Sequence, residues 1–148
     1  LYERGIPVIF DPGQGIGLFN KEEIEQLVSL SDYVVLNEYE STLLADIMSQ
    51  EIVDIASTLK AAIVTKGAKG SDIYVDKEMI HIDPINVDNE ADPTGCGDAY
   101  RAGLIYGIIN NLPWEKTGKI SSMIGAIKVS HNGTQNHTFK IDELLAKI

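Results

Sequence analysis

The sequence contains a single cysteine, Cys96, among its 148 residues. One cysteine cannot form an internal disulfide, so the cysteine content does not indicate an oxidising compartment. We therefore expect a cytoplasmic protein. Basic residues are also scarce, because 12 Lys and Arg stand against 22 Asp and Glu and the net charge is −10. Clustered cations drive binding to nucleic acids and to anionic membranes, so this balance argues against both kinds of partner.

Long hydrophobic runs are missing as well. The longest uncharged stretch, Ala102 to Trp114, is interrupted by Gly, Asn and Pro and is too short to cross a membrane, so it predicts a buried helix. The chain opens with Leu1 rather than Met and lacks the charged-then-apolar order of a signal peptide. We therefore expect a fragment whose natural start lies upstream.

Two common nucleotide-binding motifs are absent. Gly13, Gly15 and Gly17 follow a predicted strand, but Leu18 stands where the dinucleotide fingerprint needs its third glycine. No Gly-Lys-Ser or Gly-Lys-Thr occurs, which argues against a Walker-type P-loop. The three histidines lack metal-ligand spacing with Cys or acidic residues, so we interpret them as structural or peripheral.

The first half of the sequence alternates short β-branched runs with helical patterns, which is typical of βαβ units and a parallel sheet. A hairpin and further helices follow, and two glycines one turn apart, Gly103 and Gly107, predict close helix packing. The predicted fold is α/β, with a three-layer, mostly parallel, Rossmann-like sheet and an antiparallel hairpin in the C-terminal portion. Strands are predicted at 7–10, 33–36, 61–65, 72–75 and 79–82, and helices at 18–30, 39–48, 52–59, 94–110, 116–130 and 141–148.

The segment Asp92-Pro93-Thr94-Gly95-Cys96-Gly97-Asp98 carries the most chemical information. Pro93 keeps the helix from beginning before it. Glycines without Cβ atoms let consecutive N–H groups approach one anion, and the positive end of the following helix favours negative charge at the same place. The segment therefore predicts a phosphate cradle built without lysine.

Asp98 has two interpretations at this stage. A carboxylate beside an anion site is unfavourable unless chemistry needs it, for example as the general base that takes a proton from an attacking hydroxyl. Asp also commonly caps helices, and the motif alone does not separate the two roles. Cys96 at a helix start could be a nucleophile, but a small packing residue is the better interpretation.

The segment from Asp92 to Asp98, with the five residues that follow it, resembles the second signature of the ribokinase-type (PfkB) carbohydrate kinases. That resemblance implies Asp98 as the catalytic base and an anion hole formed by Gly95, Cys96 and Gly97. The sequence departs from the usual pattern with Pro93 after Asp92 and with Cys96 where alanine is common. Neither change removes an N–H group that the hole needs.

Two further segments resemble elements of the same family. The first is Asn37-Glu38-Tyr39-Glu40, similar to the N-x-x-E element that organises Mg²⁺ and phosphate, although Asn37 and Glu40 also form a capping-box pattern, and both roles can hold at once. The second resembles the nucleotide-binding loop, although its lysines could be solvated loop charges. It consists of Thr65, Lys66, Gly67, Ala68, Lys69, Gly70 and Ser71.

The order of these segments resembles the C-terminal part of such kinases over nearly the whole chain. The resemblance implies that residues 1–148 are the nucleotide-binding part of a ribokinase-like domain, without the N-terminal half and its lid. It further implies ATP and Mg²⁺ as cofactors, a sugar or nucleoside acceptor, and a monovalent cation such as K⁺ at Asp92 and Thr94. It places Gly133 to His137 near the adenine or cation site and allows a homodimer.

Within that family, the runs 10–14 and 133–137 resemble the adenosine-kinase-like branch. The function expected from the resemblance is transfer of the γ-phosphoryl group of ATP to a sugar or nucleoside hydroxyl. The rival hypothesis is a non-catalytic nucleotide-binding module or subunit that keeps the same fold. The presence of Asp98 together with Asn37 and Glu40 favours the enzyme, since a mere binder has no use for a base.

Overall fold

The computed structural model describes residues 4–148. It has an α/β fold in which helices alternate with the first three strands of a five-stranded sheet. The strands are β1 (Ile9–Phe10), β2 (Tyr33–Asn37), β3 (Ala61–Thr65), β4 (Ser71–Val75) and β5 (Glu78–Ile82). The helices are α1 (Lys21–Ser29), α2 (Glu38–Met48), α3 (Ile52–Ala56), α4 (Cys96–Ile109), α5 (Trp114–Val129) and α6 (Ile141–Leu145), with 3-10 helices at Gly13–Leu18 and Gly67–Lys69.

The sheet has the strand order β1-β2-β3-β4-β5. Strands β1 and β2 are parallel, as are β2 and β3, and the last register pair of β2 and β3 joins Asn37 to Thr65. Strands β4 and β5 are connected by Asp76 and Lys77, both with positive φ. Such a two-residue connection between neighbouring strands requires an antiparallel pair, so the predicted mostly parallel sheet with a hairpin is confirmed.

The chain divides into two compact units. The first contains the residues up to Lys66 together with Asp72–His81, and the second contains Gly67–Ser71 together with Ile82–Ile148. Each has its own apolar core. The buried core of the first unit comprises Ile16, Ile24, Val28, Val34, Leu36, Leu44, Ile55, Ala56 and Ala62, and that of the second comprises Ala99, Ile120, Ile124 and Leu144.

The predicted helix at 18–30 begins later than expected. Residues Gly13–Leu18 form a 3-10 helix, and α1 starts only at Lys21. The reason is a capping box in which the Asn20 side chain accepts from the Glu23 amide and the Glu23 carboxylate accepts from the Asn20 amide, both at 2.9 Å. This pair fixes Asn20 as the N-cap, so apolar periodicity before it does not extend the helix.

Other predicted boundaries are corrected in the same way. Only the last two residues of the predicted strand 7–10 pair with β2. Helix α3 ends at Ala56 rather than 59, where the hydroxyls of Ser57 and Thr58 donate to carbonyls of the preceding turn. Helix α4 begins at Cys96 rather than Thr94, and α5 begins directly after Pro113. Helix α6 ends at Leu145, and strand 61–65 is confirmed.

Close packing of α4 on α5 explains the two helical glycines. A Cβ atom at Gly103 would lie 2.6 Å from the Cα of Ser121, and one at Gly107 would collide with the side chain of Thr117. Both contacts are too short for a real side chain, so the helices can approach only where glycine is present. The prediction of close packing is therefore confirmed. No helix within residues 4–148 is long and apolar enough to span a membrane.

Candidate active site

The start of α4 is shaped by Gly95, the N-cap residue. Gly95 has φ +85°, a left-handed conformation that L side chains rarely adopt. A Cβ atom there would also lie 3.3 Å from the Cβ of Thr134. The positive φ favours glycine at this position, and the tight contact leaves little room for a side chain beside Thr134. The next residues of the turn, Gly97 and Asp98, are exposed.

The main-chain amides of this first turn are the candidate anion donors. An α-helix supplies no internal acceptor for its first amides, so those of Gly97 and Asp98 need a partner from outside the helix. The Cys96 amide, predicted to belong to the anion hole with those of Gly95 and Gly97, differs because it donates to the carbonyl of Pro93 at 3.1 Å. Amides that face outward at the positive end of a helix form an anion-binding arrangement.

The Asp98 side chain is 76% exposed and forms an ion pair with Arg101 one turn further along α4. Asp98 is the third residue of α4, and the N-cap is Gly95. The partner of the carboxylate in the structure is thus a guanidinium, not a main-chain amide at the cap. An exposed carboxylate beside the helix N-terminus is accessible to a hydroxyl group that approaches from solvent.

Cys96 packs at the same turn and is half-buried. Its Sγ lies 3.9 Å from the main-chain carbonyl of Asp92. Burial raises the pKa of the Cys96 thiol, which disfavours the reactive thiolate. The geometry agrees with a packing residue rather than a nucleophile.

Asp92 closes the loop before α4. Its carboxylate accepts hydrogen bonds from the Thr94 amide at 2.8 Å and from the Gly133 amide at 2.9 Å. Hydrogen bonds from Thr94 and Gly133, together with the nearby Lys128 ammonium, lower the pKa of Asp92 to about 2. The carboxylate therefore stays ionised and ties the loop before α4 to the segment at Gly133.

Asn37 and Glu40 form the second predicted element, at the end of β2 and the start of α2. The Asn37 side chain accepts from the Glu40 amide, and the Glu40 carboxylate accepts from the Asn37 amide, both at 2.8 Å. The capping-box interpretation is confirmed. Glu40 is nevertheless 6% exposed, which places a buried carboxylate at the carboxyl edge of a parallel strand pair.

The predicted nucleotide loop begins at the end of β3. The Thr65 hydroxyl donates to the Leu36 carbonyl at 3.2 Å, beside its register partner Asn37. The Lys66 ammonium pairs with the buried carboxylate of Asp72, and this hydrogen bond raises the pKa of Lys66. Lys66 is thus held by a protein carboxylate and is not a loosely solvated charge.

The remainder of the loop depends on its glycines. Gly67 and Gly70 both have positive φ, and a Cβ atom at Gly70 would collide with the carbonyl of Ile82. The loop is joined to α4 by a buried hydrogen bond of 2.8 Å between the hydroxyls of Ser71 and Tyr100. Ala68 and Lys69 lie exposed on the 3-10 helix Gly67–Lys69.

The sequence prediction missed two buried charged side chains among the described residues. One is Asp72, where burial opposes ionisation but hydrogen bonds with His81 and Lys66 outweigh it and lower the pKa. The other is Lys128, which is fully buried. A signal for it existed, because Lys128 continues the series of Ile120 and Ile124 at four-residue spacing on an otherwise apolar helix face.

The structure thus brings the predicted residues together in two groups, one in each compact unit. Within the first unit, Asn37, Glu40, Thr65 and Lys66 lie at the ends of β2 and β3. Within the second unit, Asp92 and Thr94 adjoin the start of α4, which the segment 95–98 forms, and the loop 67–70 leads to Ser71, which hydrogen-bonds to Tyr100 of the same helix. No group of three or more His, Cys, Asp or Glu side chains that could hold a metal ion occurs in the described part of the chain.

Comparison with known proteins adds independent evidence. The model of the "pfkB family carbohydrate kinase" matches residues 3–140. A nucleoside kinase of Methanocaldococcus jannaschii is 32% identical over 141 residues, which are 95% of this chain and 47% of that protein. The solved structure of a nucleoside kinase of that organism superimposes with a TM-score of 0.90.

A second solved structure is the nucleoside kinase of Burkholderia thailandensis in complex with inosine. It is 37% identical, has a TM-score of 0.94, and the match covers 99% of this chain and 49% of that one. The same protein has also been solved in complex with ADP-inosine. The chain spans about half the length of the relatives it matches.

Proposed function

Because the chain belongs to the pfkB family of carbohydrate kinases, we propose that it is the nucleotide-binding part of an enzyme that transfers the γ-phosphoryl group of ATP to a hydroxyl of a nucleoside or sugar. The observation that carries this proposal is the exposed first turn of α4, where the amides of Gly97 and Asp98 lie at the helix N-terminus beside the exposed carboxylate of Asp98. Phosphoryl transfer requires both features, since it depends on charge stabilisation and on a base for the attacking hydroxyl.

In this mechanism the acceptor oxygen attacks the γ-phosphorus, and the bond to the ADP oxygen breaks. The Asp98 carboxylate takes the proton of the hydroxyl, and Arg101 holds that carboxylate in place. The amides of Gly97 and Asp98 donate to the transferring phosphoryl group, with Gly95 keeping their approach open. One such donor is worth roughly 3 kcal/mol of transition-state stabilisation.

The loop of residues 65–70 is the proposed site of the nucleotide. Gly67 and Gly70 shape it through their positive φ, and Lys69 stands at its exposed end. Asn37 and Glu40 would hold Mg²⁺ through water, because a single carboxylate beside an amide suits an ion that keeps most of its waters. When bound with ATP, Mg²⁺ neutralises phosphate charge. A homodimer and a cytoplasmic location stay predictions.

A nucleoside is the favoured acceptor. Two relatives that match 95% and 88% of this chain are nucleoside kinases of Methanocaldococcus jannaschii and Methanothermobacter thermautotrophicus. The Burkholderia thailandensis structures contain inosine and ADP-inosine. These similarities support a purine nucleoside such as inosine or adenosine over a simple sugar.

ADP formation by the full-length protein tests the proposal. We expect Mg²⁺-dependent ADP release that requires an added nucleoside and exceeds the rate with ribose or fructose. Faster turnover with a sugar would support the proposed kinase activity and would overturn the proposal that a nucleoside is the acceptor. Nucleotide binding without ADP release on any nucleoside or sugar would instead support the rival, a non-catalytic nucleotide-binding module.

A further inference from the structure

Lys128 stands in the last turn of α5, and its side chain is completely buried. A buried ammonium loses its hydration, which is costly unless oxygen atoms of the protein replace the lost water. A side chain of this kind at the end of an apolar helix face therefore needs partners strong enough to offset that cost. The structure supplies such partners from two separate loops.

Among residues 4–148, the Lys128 ammonium is held by oxygen atoms from two loops. Its Nζ donates to the main-chain carbonyl of Asp92 at 2.5 Å and to that of His131 at 3.3 Å, and lies 3.9 Å from the Asp92 carboxylate. Two carbonyls and one carboxylate form the kind of oxygen-only set that binds a hard cation. An ammonium group resembles K⁺ in charge and size, so the set suits either.

The same carboxylate leaves little room for a metal ion. One Asp92 oxygen accepts from the Thr94 amide and the other from the Gly133 amide, and the ammonium stands beside the second. Thr94 contributes its amide to Asp92 and is itself exposed. The residues present thus fit a cation that belongs to the protein, and they do not fit an additional K⁺ at Asp92 and Thr94.

The loops held in this way adjoin the start of α4. The amides of Ala91 and Asp92 donate to the Val129 carbonyl at 2.8 and 3.1 Å, so the loop before α4 is fixed to the end of α5. Thr134, next to Gly133, packs against Gly95, since a Cβ atom built on Gly95 would lie 3.3 Å from the Cβ of Thr134. A change at Lys128 would therefore reach the backbone that presents the anion donors.

We propose that the Lys128 ammonium acts as a built-in monovalent cation, which joins the loops at Asp92 and His131 and keeps the start of α4 in place without added K⁺. Lys128 is thus a positioning residue. The proposal that the start of α4 presents anion donors rests on the proposed function, whereas the effect of Lys128 on stability does not. A failure of the kinase proposal would leave the stability result unchanged, so the two can be told apart.

Thermal unfolding of the full-length protein in chloride salts of K⁺, NH₄⁺ and choline, at equal ionic strength, tests this proposal. The wild type should have the same midpoint in all three salts. Lys128→Ala should lower the midpoint in choline chloride by roughly 5–10 °C. K⁺ or NH₄⁺ should then restore part of that loss in a saturable manner, because either ion can enter the vacated oxygen set.

Lys119→Ala removes an exposed lysine from the same helix and serves as the control, with no cation dependence expected. A purely structural lysine would give a loss in Lys128→Ala that K⁺ and NH₄⁺ repair no better than choline, and that result would overturn the proposal. Saturable stabilisation of the wild type by K⁺ would overturn it as well. This wild-type arm decides the matter even where Lys128→Ala fails to fold.

Discussion

At Gly95 the backbone turns from the loop into α4 in a left-handed conformation, whereas Gly97, two residues later, has ordinary helical geometry. A Cβ atom at Gly97 would meet only the guanidinium of Arg101, at 3.6 Å. The two glycines of this motif therefore differ in purpose. Gly95 is required by the backbone, and Gly97 leaves space beside an amide.

We predict opposite effects of alanine at these two positions. Gly95→Ala should lower the free energy of unfolding by roughly 1–2 kcal/mol, because an L residue is strained at positive φ. Gly97→Ala should leave that free energy unchanged or raise it slightly, since alanine favours helix. Urea unfolding of both variants measures this difference. Equal losses in the two variants would contradict the assigned conformations.

Asp92 predicts a particular acid sensitivity. Its folded pKa is about 2, below the ordinary value of 3.8. A lowered folded pKa means that ionised Asp92 stabilises the fold above pH 3.8 and that this contribution is lost as the pH falls through about 2. The difference in unfolding free energy between the wild type and Asp92→Asn should therefore be largest above pH 3.8 and should become smaller as the pH approaches 2.

Urea midpoints across that pH window measure the gap. Asp142→Asn, which removes an exposed carboxylate from α6, is the control and should track the wild type. A gap that stays constant with pH would show that the Asp92 charge does not contribute in the way its hydrogen bonds indicate.

Local sequence chemistry predicted the residues of the α4 turn but not all of their partners. Pro93 and the two glycines predict a loop-to-helix junction with exposed amides. Proline restricts the backbone and glycine permits conformations that other residues rarely adopt, whatever their neighbours are. The ion pair of Asp92 with Lys128 joins positions 36 residues apart in the sequence. Such a contact depends on tertiary packing, which no local pattern encodes.

Among the elements, α1 and α2 both begin with a capping box. Asn20 with Glu23 and Asn37 with Glu40 form reciprocal capping boxes with hydrogen bonds of 2.8–2.9 Å. The first pair is exposed at the surface, and Glu40 is buried. The molecule thus contains its own matched control for separating a capping role from a role in nucleotide binding.

We predict that Glu40→Gln and Glu23→Gln lower the unfolding free energy by similar amounts, at most about 1 kcal/mol each, because glutamine keeps the hydrogen-bonding shape of the box. Only Glu40→Gln should raise the Mg–ATP concentration needed for half-maximal turnover, by roughly tenfold or more, since it removes a charge that organises the ion. Steady-state kinetics of the two variants tests this. Equal kinetic effects of Glu40→Gln and Glu23→Gln would show that Glu40 acts only as a helix-capping residue.

Periodicity located every α-helix and strand of the described chain, while element ends needed other information. The alternation of apolar residues identified α1, but the Asn20 capping box moved its start from 18 to Lys21. The left-handed Gly95 moved the start of α4 from 94 to Cys96. Apolar periodicity reports which face is buried, and the caps decide where hydrogen bonding begins.

Taken as a whole, the molecule carries a net charge of −10 and yet is proposed to bind a polyanion. Lys66 and Lys128 are both paired with carboxylates of the protein, so they do not supply free positive charge. Main-chain amides at the start of α4 are therefore the proposed phosphate donors. The Asp98 carboxylate beside them must then act as a base and not as a structural charge.

Turnover by Asp98→Asn in the full-length protein, measured beside its nucleotide affinity, tests that requirement most directly. We expect kcat for nucleoside-dependent ADP formation to fall by roughly 10²–10⁴-fold, because asparagine cannot accept the proton. Nucleotide affinity should stay close to that of the wild type, and Asp142→Asn should keep full activity. Turnover preserved in Asp98→Asn would contradict the assignment of the base.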